Sequence, residues 1–252
     1  MLDPVAGTLA RDGGARVAYL SRAGRAPGIV WLGGFKSEMT GSKATALDRW
    51  AARESRAFIR YDYFGHGVSS GHFRGGTITR WRDDSLAVLD ERTTGPQILV
   101  GSSMGAWLAL LAALARPQRV VGLLLVAPAV DFTERLLWDR LDATTQQQIM
   151  SKGEWLRPSA YGPDSYPITR TLIEDGRTHL LLESRIALRC PVRIVQGMQD
   201  PDVPWSHAMK LVAGLGADTE ITLVKDGDHR LSKPPELALI ERTLRALVED
   251  CS

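Results

Sequence analysis

The sequence predicts an α/β protein: a mostly parallel sheet with helices on both faces and a helical cap. Three observations carry that expectation. Short runs that are apolar on both faces, such as 97–100 and 120–127, alternate with segments of helical spacing. Strands of that kind lie buried between two helical layers, which is the environment of a parallel sheet. From 129 to 188 the alternation stops, and several prolines, amphipathic pieces and the aromatics Trp138, Trp155, Tyr161 and Tyr166 take its place. An insertion of that size at the strand ends is placed to cover a site. Third, residues 101–105 read Gly-Ser-Ser-Met-Gly at the junction of a predicted strand and a predicted helix.

Taken in order, residues 6–20 read as an antiparallel hairpin turning at Asp12-Gly13-Gly14. Residues 29–32 are an apolar run ended by Gly33-Gly34-Phe35, and 43–54 have helical spacing through Ala44, Leu47, Trp50 and Ala51. A strand at 57–61 leads into a loop, 62–71, rich in turn residues. Residues 77–91 read as a helix with Thr77 as its N-cap. The run 97–100 is followed by an Ala/Leu-rich helix that Pro117 stops, and then by the run 120–127. After the insertion, strands at 192–196 and 220–224 alternate with helices at 205–215 and 234–249. No Gly-x-Gly-x-x-Gly follows the first parallel strand, which argues against a dinucleotide fold.

The length of 252 residues fits one domain spanning 1–252 with residues 129–188 as a cap insertion within it. A net charge of +2, with mixed segments such as Arg80-Trp-Arg-Asp-Asp, gives no basis for nucleic acid as a partner. No apolar run has the length of a membrane span. Cys190 and Cys251 fit neither a disulfide framework nor a metal site. The early arginines 11, 16, 22 and 25 resemble a transit peptide, but 11–17 reads better as a hairpin turn, so a cytoplasmic protein is expected.

The glycines of 101–105 make sense around a strained residue. A sharp strand-to-helix turn leaves no room for Cβ atoms beside its centre, so Ser103 is lifted clear at the carboxyl edge of the sheet. The Met104 amide then faces the same point from a helix N-terminus. A serine hydroxyl needs a base, and the base needs an orienting carboxylate. Those partners are expected after two later strands, in the order serine, acid, histidine. The strand at 192–196 is followed by Asp200-Pro-Asp202, and the strand at 220–224 by Asp228-His229-Arg230. The Asp-x-x-Val-Pro spacing favours Asp200 over Asp202, while Asp131, just after the preceding strand, is a further position for the acid; Asp200 is also good turn chemistry. Among His66, His72, His179, His207 and His229, only His229 has the required order and strand context. His66 reads as a turn residue, His179 and His207 as surface or packing residues, and Asp228 as a loop hydrogen-bonder. Met104 and Phe35 amides are the expected oxyanion donors. Trp107 reads as core, whereas Trp155 and Tyr161 are the candidates for lining a substrate pocket.

The chain resembles the α/β hydrolases and, more narrowly, the α/β-hydrolase-domain-containing protein ten family of thioesterases and acyl-glucuronide esterases. The likeness rests on Gly-Pro-Gln-Ile-Leu-Val-Gly-Ser-Ser-Met-Gly at 95–105, Ala-Arg-Pro at 115–117 and Gly-Met-Gln-Asp-Pro-Asp-Val-Pro-Trp at 197–205. It also includes Trp155-x-x-Pro158-Ser159-x-Tyr161 and Asp228-His229-Arg230. The resemblance implies an α/β-hydrolase fold, the triad Ser103, Asp200 and His229, and hydrolysis of esters or thioesters through an acyl-serine intermediate. Such a triad needs no metal or organic cofactor; the expected substrate is a small-molecule ester or acylated protein, and the expected assembly a monomer or homodimer. Much of the cap departs from the family and no clear transit peptide precedes the domain, which fits a bacterial relative; the matrix of mitochondria is implied only for a eukaryotic one. The competing expectations are a C–C bond or amide hydrolase with the same triad, and a non-catalytic ligand-binding protein on the same fold. Dehalogenase and epoxide-hydrolase chemistry is disfavoured, because an aspartate stands there in the place of Ser103.

Overall fold

The apolar runs of the sequence pair edge to edge. The structure, a computed structural model, describes residues 3–158 and 165–251. The hairpin is β1 (Val5–Ala10) and β2 (Arg16–Arg22), and its turn uses left-handed backbone at Gly13 and Gly14. There follow β3 (Arg25–Leu32), α1 (Ser42–Arg53), β4 (Arg56–Tyr61), α2 (Ile78–Arg92), β5 (Gln97–Ser102), α3 (Met104–Ala115) and β6 (Val120–Val126). The 129–188 segment carries a π-helical turn (Phe132–Leu137), α4 (Ala143–Lys152), β7 (Glu154–Arg157), β8 (Tyr166–Thr169) and α5 (Arg170–Gly176). Then come β9 (Val192–Gly197), α6 (Trp205–Gly214), β10 (Thr219–Val224) and α7 (Pro234–Asp250). The Thr77 side chain accepts a hydrogen bond from the Arg80 amide, which is the N-cap that the sequence predicts for α2.

One eight-stranded sheet runs β1-β2-β4-β3-β5-β6-β9-β10, antiparallel at β1/β2 and β2/β4 and parallel elsewhere. Successive strand residues point to opposite faces, and here both faces are apolar. Val30, Leu99, Leu123, Leu125 and Ile194 pack with α2 and α3, while Ile29, Ile98, Val100, Leu124 and Val195 pack with α1 and α7. This is why the central strands read as continuous apolar runs. Trp50, Trp81 and Trp107 anchor the helices, each at most 1% exposed.

Two features differ from the sequence reading. The 129–188 segment, read as lacking sheet strands, holds β7 and β8, paired antiparallel in a small separate sheet. Four residues each are too few to show a period-2 pattern, and Pro167 within β8 hides it further. β3 also begins at Arg25, four residues earlier than expected, because Pro27 and Gly28 read as breakers there. Among the described residues, no helix is long and apolar enough to cross a membrane.

The turn from β5 into α3 lies directly against the end of β3. A Cβ on Gly105 would stand 2.1 Å from the Leu32 carbonyl oxygen and 2.5 Å from that of Gly33. A Cβ on Gly101 would stand 2.4 Å from the Gly105 carbonyl oxygen. All of these neighbours are backbone and cannot rotate away. Gly105→Ala is therefore expected to cost at least about 2 kcal/mol, read as a lower urea midpoint. A loss below about 0.5 kcal/mol, the size of a neutral surface change, would show that this contact is not tight.

Candidate active site

Ser103 sits between β5 and α3 with φ 55° and ψ −121°, a backbone conformation that residues other than glycine avoid. Its neighbours hold it there: the Ser103 amide donates to the Val126 carbonyl at 2.9 Å, and the Ala106 and Ala129 amides donate to the Ser103 carbonyl at 3.0 and 3.2 Å. Two other strand ends deliver the partners. Asp200 follows β9 and His229 follows β10, and the parallel pairing of those strands sets both loops side by side at the edge where Ser103 stands. His229 Nε2 lies 3.0 Å from Ser103 Oγ, and His229 Nδ1 lies 2.8 Å from Asp200 Oδ2. A carboxylate only accepts, so the Nδ1 proton points to Asp200 and leaves Nε2 to accept from the serine hydroxyl.

The Asp200 side chain is wholly buried, and His229 is 17% exposed. Burial of a carboxylate is tolerable because every lone-pair direction is used. Asp200 Oδ1 accepts from the Asp202 and Val203 amides at 2.9 and 2.8 Å, and Oδ2 accepts from His229 and, at 3.3 Å, from Gln196 Nε2. Of the two acids in that turn, Asp200 faces His229, and Asp202 supplies a backbone amide. Gln196, at the end of β9, escapes the sequence reading; its one signal is an amide side chain inside an apolar strand.

The loop after β3 lies against the serine from the other side: a Cβ on Gly34 would stand 3.3 Å from Ser103 Cβ. Neither the Phe35 nor the Met104 amide has an acceptor among the described residues, so both are available to an anion at this point. The loop is clamped from the turn after β4. Tyr63 Oη donates to the Gly33 carbonyl at 3.1 Å, His66 Nε2 accepts from the Lys36 amide at 3.2 Å, and Asp62 Oδ1 accepts from the Met39 amide at 2.7 Å. His66 Nδ1 in turn faces the Phe64 carbonyl at 3.2 Å, which fixes a neutral tautomer. Lys36 has φ 56°, so its position depends on such ties. The sequence reads His66 only as a turn residue; the structure adds that it holds the Phe35-Lys36 peptide.

A cavity of about 680 Å³ opens beside Ser103 and His229. Phe132, Leu137, Leu141, Ile168, Trp155 and Tyr166 form an apolar wall contributed by the 129–188 segment. Trp155 thus lies where the sequence expects a pocket residue, and Tyr161 lies outside the described residues. The Phe35 ring packs within 6 Å of Phe73, Trp81, Phe132 and Tyr166, so this residue joins the loop after β3 to the 129–188 segment.

The remaining candidates have other duties. Asp131 is buried and accepts the Leu181 and Leu182 amides. His179 Nε2 lies 2.7 Å from Thr79 Oγ1, and His207 Nε2 donates to the Val130 carbonyl at 2.8 Å. Asp228 Oδ1 accepts from the Arg230 and Leu231 amides. His72 stands at the entry of a short turn, Phe73–Gly75. Trp107 is core, and its Nε1 donates to the His179 carbonyl at 3.1 Å. Burial pushes the Cys190 thiol up to about 11, which removes it as a nucleophile at neutral pH. Among the described residues, Asp200, Asp202 and His229 are the one group of three whose potential metal-ligand atoms all lie within 4.8 Å of one another. The Asp200 oxygens already accept four hydrogen bonds, so the cluster fits an orienting role for His229 better than an ion.

The chain matches the family model of the alpha/beta hydrolase family over residues 26–239. It belongs to the alpha/beta hydrolase family. Within that family it is similar to palmitoyl-protein thioesterase ABHD10, mitochondrial, of Mus musculus, with 39% identity over 238 residues, covering 94% of this chain and 80% of the relative. The Homo sapiens protein of the same name is 37% identical over 238 residues, covering 94% of this chain and 78% of the relative. The solved structure of alpha/beta hydrolase domain-containing protein 10 from mouse superposes with a TM-score of 0.91 at 37% identity, covering 98% of this chain and 100% of that one.

In this alpha/beta hydrolase, burial drives the His66 imidazole from 6.5 down to about 4; the Lys36 charge adds to the shift, and the hydrogen bond to Phe64 opposes it. The folded state therefore resists a proton that the unfolded chain accepts. Its stabilising contribution is full above pH 6.5 and declines as pH falls toward about 4. His66→Gln is expected to flatten the fall in unfolding free energy over that range by up to about 3 kcal/mol. Parallel slopes for the two proteins in pH-dependent denaturant titrations would refute the assignment.

Proposed function

We propose that this alpha/beta hydrolase is a serine hydrolase that cleaves carboxylic esters or acyl thioesters through Ser103, His229 and Asp200. The observation that carries the reading is the hydrogen-bonded line Ser103 Oγ, His229, Asp200, ending at a mostly apolar cavity wall. Ser103 Oγ attacks the acyl carbonyl while His229 Nε2 takes its proton. Asp200 stabilises the imidazolium across Nδ1 and holds the ring in place. Charge develops on the former carbonyl oxygen, and in this reading the Met104 and Phe35 amides, which have no acceptor among the described residues, receive it. When the tetrahedral adduct collapses, the proton on Nε2 passes to the departing thiol or alcohol and an acyl-serine remains. A water molecule, deprotonated by the same nitrogen, attacks that ester, and the acid leaves as Ser103 regains its proton.

In this reading the 129–188 segment is the cap, and Trp155 with its apolar neighbours receives the acyl chain. Tyr161 remains the other proposed pocket residue. The name of the mouse relative, a palmitoyl-protein thioesterase, supports testing long acyl thioesters first.

The test is hydrolysis of matched acyl thioesters and oxygen esters, from acetyl to palmitoyl, alongside labelling by a fluorophosphonate. Ser103→Ala is expected to abolish labelling and to lower kcat by at least about 10⁴-fold, and Asp200→Asn to lower kcat by about 10⁴-fold through loss of the required tautomer. Equal turnover by wild type and Ser103→Ala would overturn the mechanism. A wild type inert across the series and unlabelled by the probe would favour a ligand-binding protein on this fold.

A further inference from the structure

The turn that carries the Phe35 amide is held in a costly form. The Ser37 amide donates to the Gly34 carbonyl at 3.0 Å and closes a four-residue turn, Gly34-Phe35-Lys36-Ser37. Of its two central residues only the second, Lys36, has positive φ, at 56°, which is the pattern of a type II turn. Such turns normally carry glycine where Lys36 stands, because a side chain is strained at positive φ. A type I turn would close the same ends with negative φ at both central residues. The two forms differ by rotation of the Phe35-Lys36 peptide through roughly half a turn. A group outside the turn must therefore select the strained form.

That group is His66. The Lys36 amide donates to His66 Nε2 at 3.2 Å. In the type I form this N–H would point away, and the Phe35 carbonyl would face the ring nitrogen, acceptor against acceptor. The imidazole has no freedom to adjust. It is 3% exposed, and the rings of Tyr63, Phe73 and Trp81 stand edge-on to it with centroids 5.4, 5.2 and 5.2 Å away. The Phe64 carbonyl accepts from Trp81 Nε1 at 3.0 Å and from His66 Nδ1 at 3.2 Å, so the proton sits on Nδ1 and the lone pair on Nε2. Burial brings the ring down to about 4, which keeps that lone pair free of a proton throughout the neutral range. An apolar side chain would fill the same box with no polar atoms to satisfy.

The box also holds Phe35 directly. Phe73 and Trp81 pack against the Phe35 ring at 4.8 and 5.8 Å, so this residue is fixed through its ring and through the peptide that follows it. The two preceding peptides are pinned as well, by Tyr63 Oη on the Gly33 carbonyl and by the Ser37 amide on the Gly34 carbonyl. The Phe35 N–H belongs to the middle one of these three planes.

We infer that His66 is a positioning residue for hydrolysis: its Nε2 lone pair selects the type II form of the turn 34–37 and so holds the Phe35 amide where the oxyanion develops. This deepens the reading above and rests on it. The alternative form pivots on the Phe35 Cα, one bond from that amide. A displacement of about 1 Å at a reacting centre costs on the order of 10²-fold in rate.

Turnover of one acyl ester is compared for His66→Gln, which keeps an acceptor at the Nε2 position, and His66→Leu, which fills the box without one. His66→Leu is expected to lower kcat by about 10²-fold with KM within about threefold, and His66→Gln to lower it by less than about fivefold. Adding Lys36→Gly to His66→Leu makes the positive φ free of strain and is expected to return about tenfold in kcat. Adding Lys36→Ala instead removes the same ammonium but keeps a Cβ, and returns none. A role in packing alone predicts no difference between the two double variants. Should His66→Leu not fold, as read from its urea midpoint, His66→Asn takes its place, since its amide ends at the Nδ1 position. A kcat within about threefold of wild type without the acceptor, or equal kcat in the two double variants, overturns the inference and leaves the hydrolase intact. A wild type inert on acyl esters and thioesters defeats both.

Discussion

Everything at this site depends on how closely two backbones meet. The turn after β5 presses against the carbonyls of Leu32 and Gly33, and Gly105 is there because nothing larger fits. That contact fixes the distance between Ser103 and the loop after β3 before any side chain is considered. It also forces the left-handed conformation of Ser103, since the chain must leave a central strand and enter a helix within one residue. A strained residue persists only where its surroundings over-determine it. Here three backbone hydrogen bonds, with Val126 of β6, Ala106 of α3 and Ala129, together with the buried apolar helix α3, provide that constraint.

Around this contact the polar groups are arranged in shells. Asp200 is held by two amides and Gln196, so that His229 meets an acceptor of fixed direction. The loop bearing the Phe35 amide is held by Tyr63, His66 and Asp62. Both arrangements position backbone or ring atoms through buried hydrogen bonds, although the Gln196 Oε1 itself has no partner. Asp62 illustrates the balance: burial raises its pKa, while hydrogen bonds from the Val68 and Met39 amides lower it.

Much of this was legible in the sequence because each signal is local. The strands at 97–100 and 120–127 announce themselves by apolar runs, the helices by spacing, and Ser103 by the two glycines that flank it. Asp200 and His229 follow from their places after strands. What stayed hidden is what depends on contacts between distant segments. His66 looks like any turn histidine until Lys36 is beside it, and Gln196 becomes meaningful only when Asp200 folds back onto it. Lys36 is an ordinary loop residue in one dimension; its positive φ, at a turn position that favours glycine, is a product of the fold. The short pair β7 and β8 was invisible for a related reason, since four-residue strands take their shape from pairing more than from pattern.

The 129–188 segment, which lines the cavity beside Ser103, is moored unevenly. At its start and end, Asp131 holds the Leu181 and Leu182 amides, His207 holds the Val130 carbonyl, and Trp107 and Thr79 reach across to His179. Its middle rests on a small apolar cluster of Leu137, Ile149, Ile168 and Ile173. The structure is thus an arch with stiff footings and a soft crown. Local opening costs least where few buried side chains hold a segment, and α4 buries only Ile149. Breathing of that crown, with the footings still in place, is the least costly way to admit a ligand bulkier than the closed cavity holds.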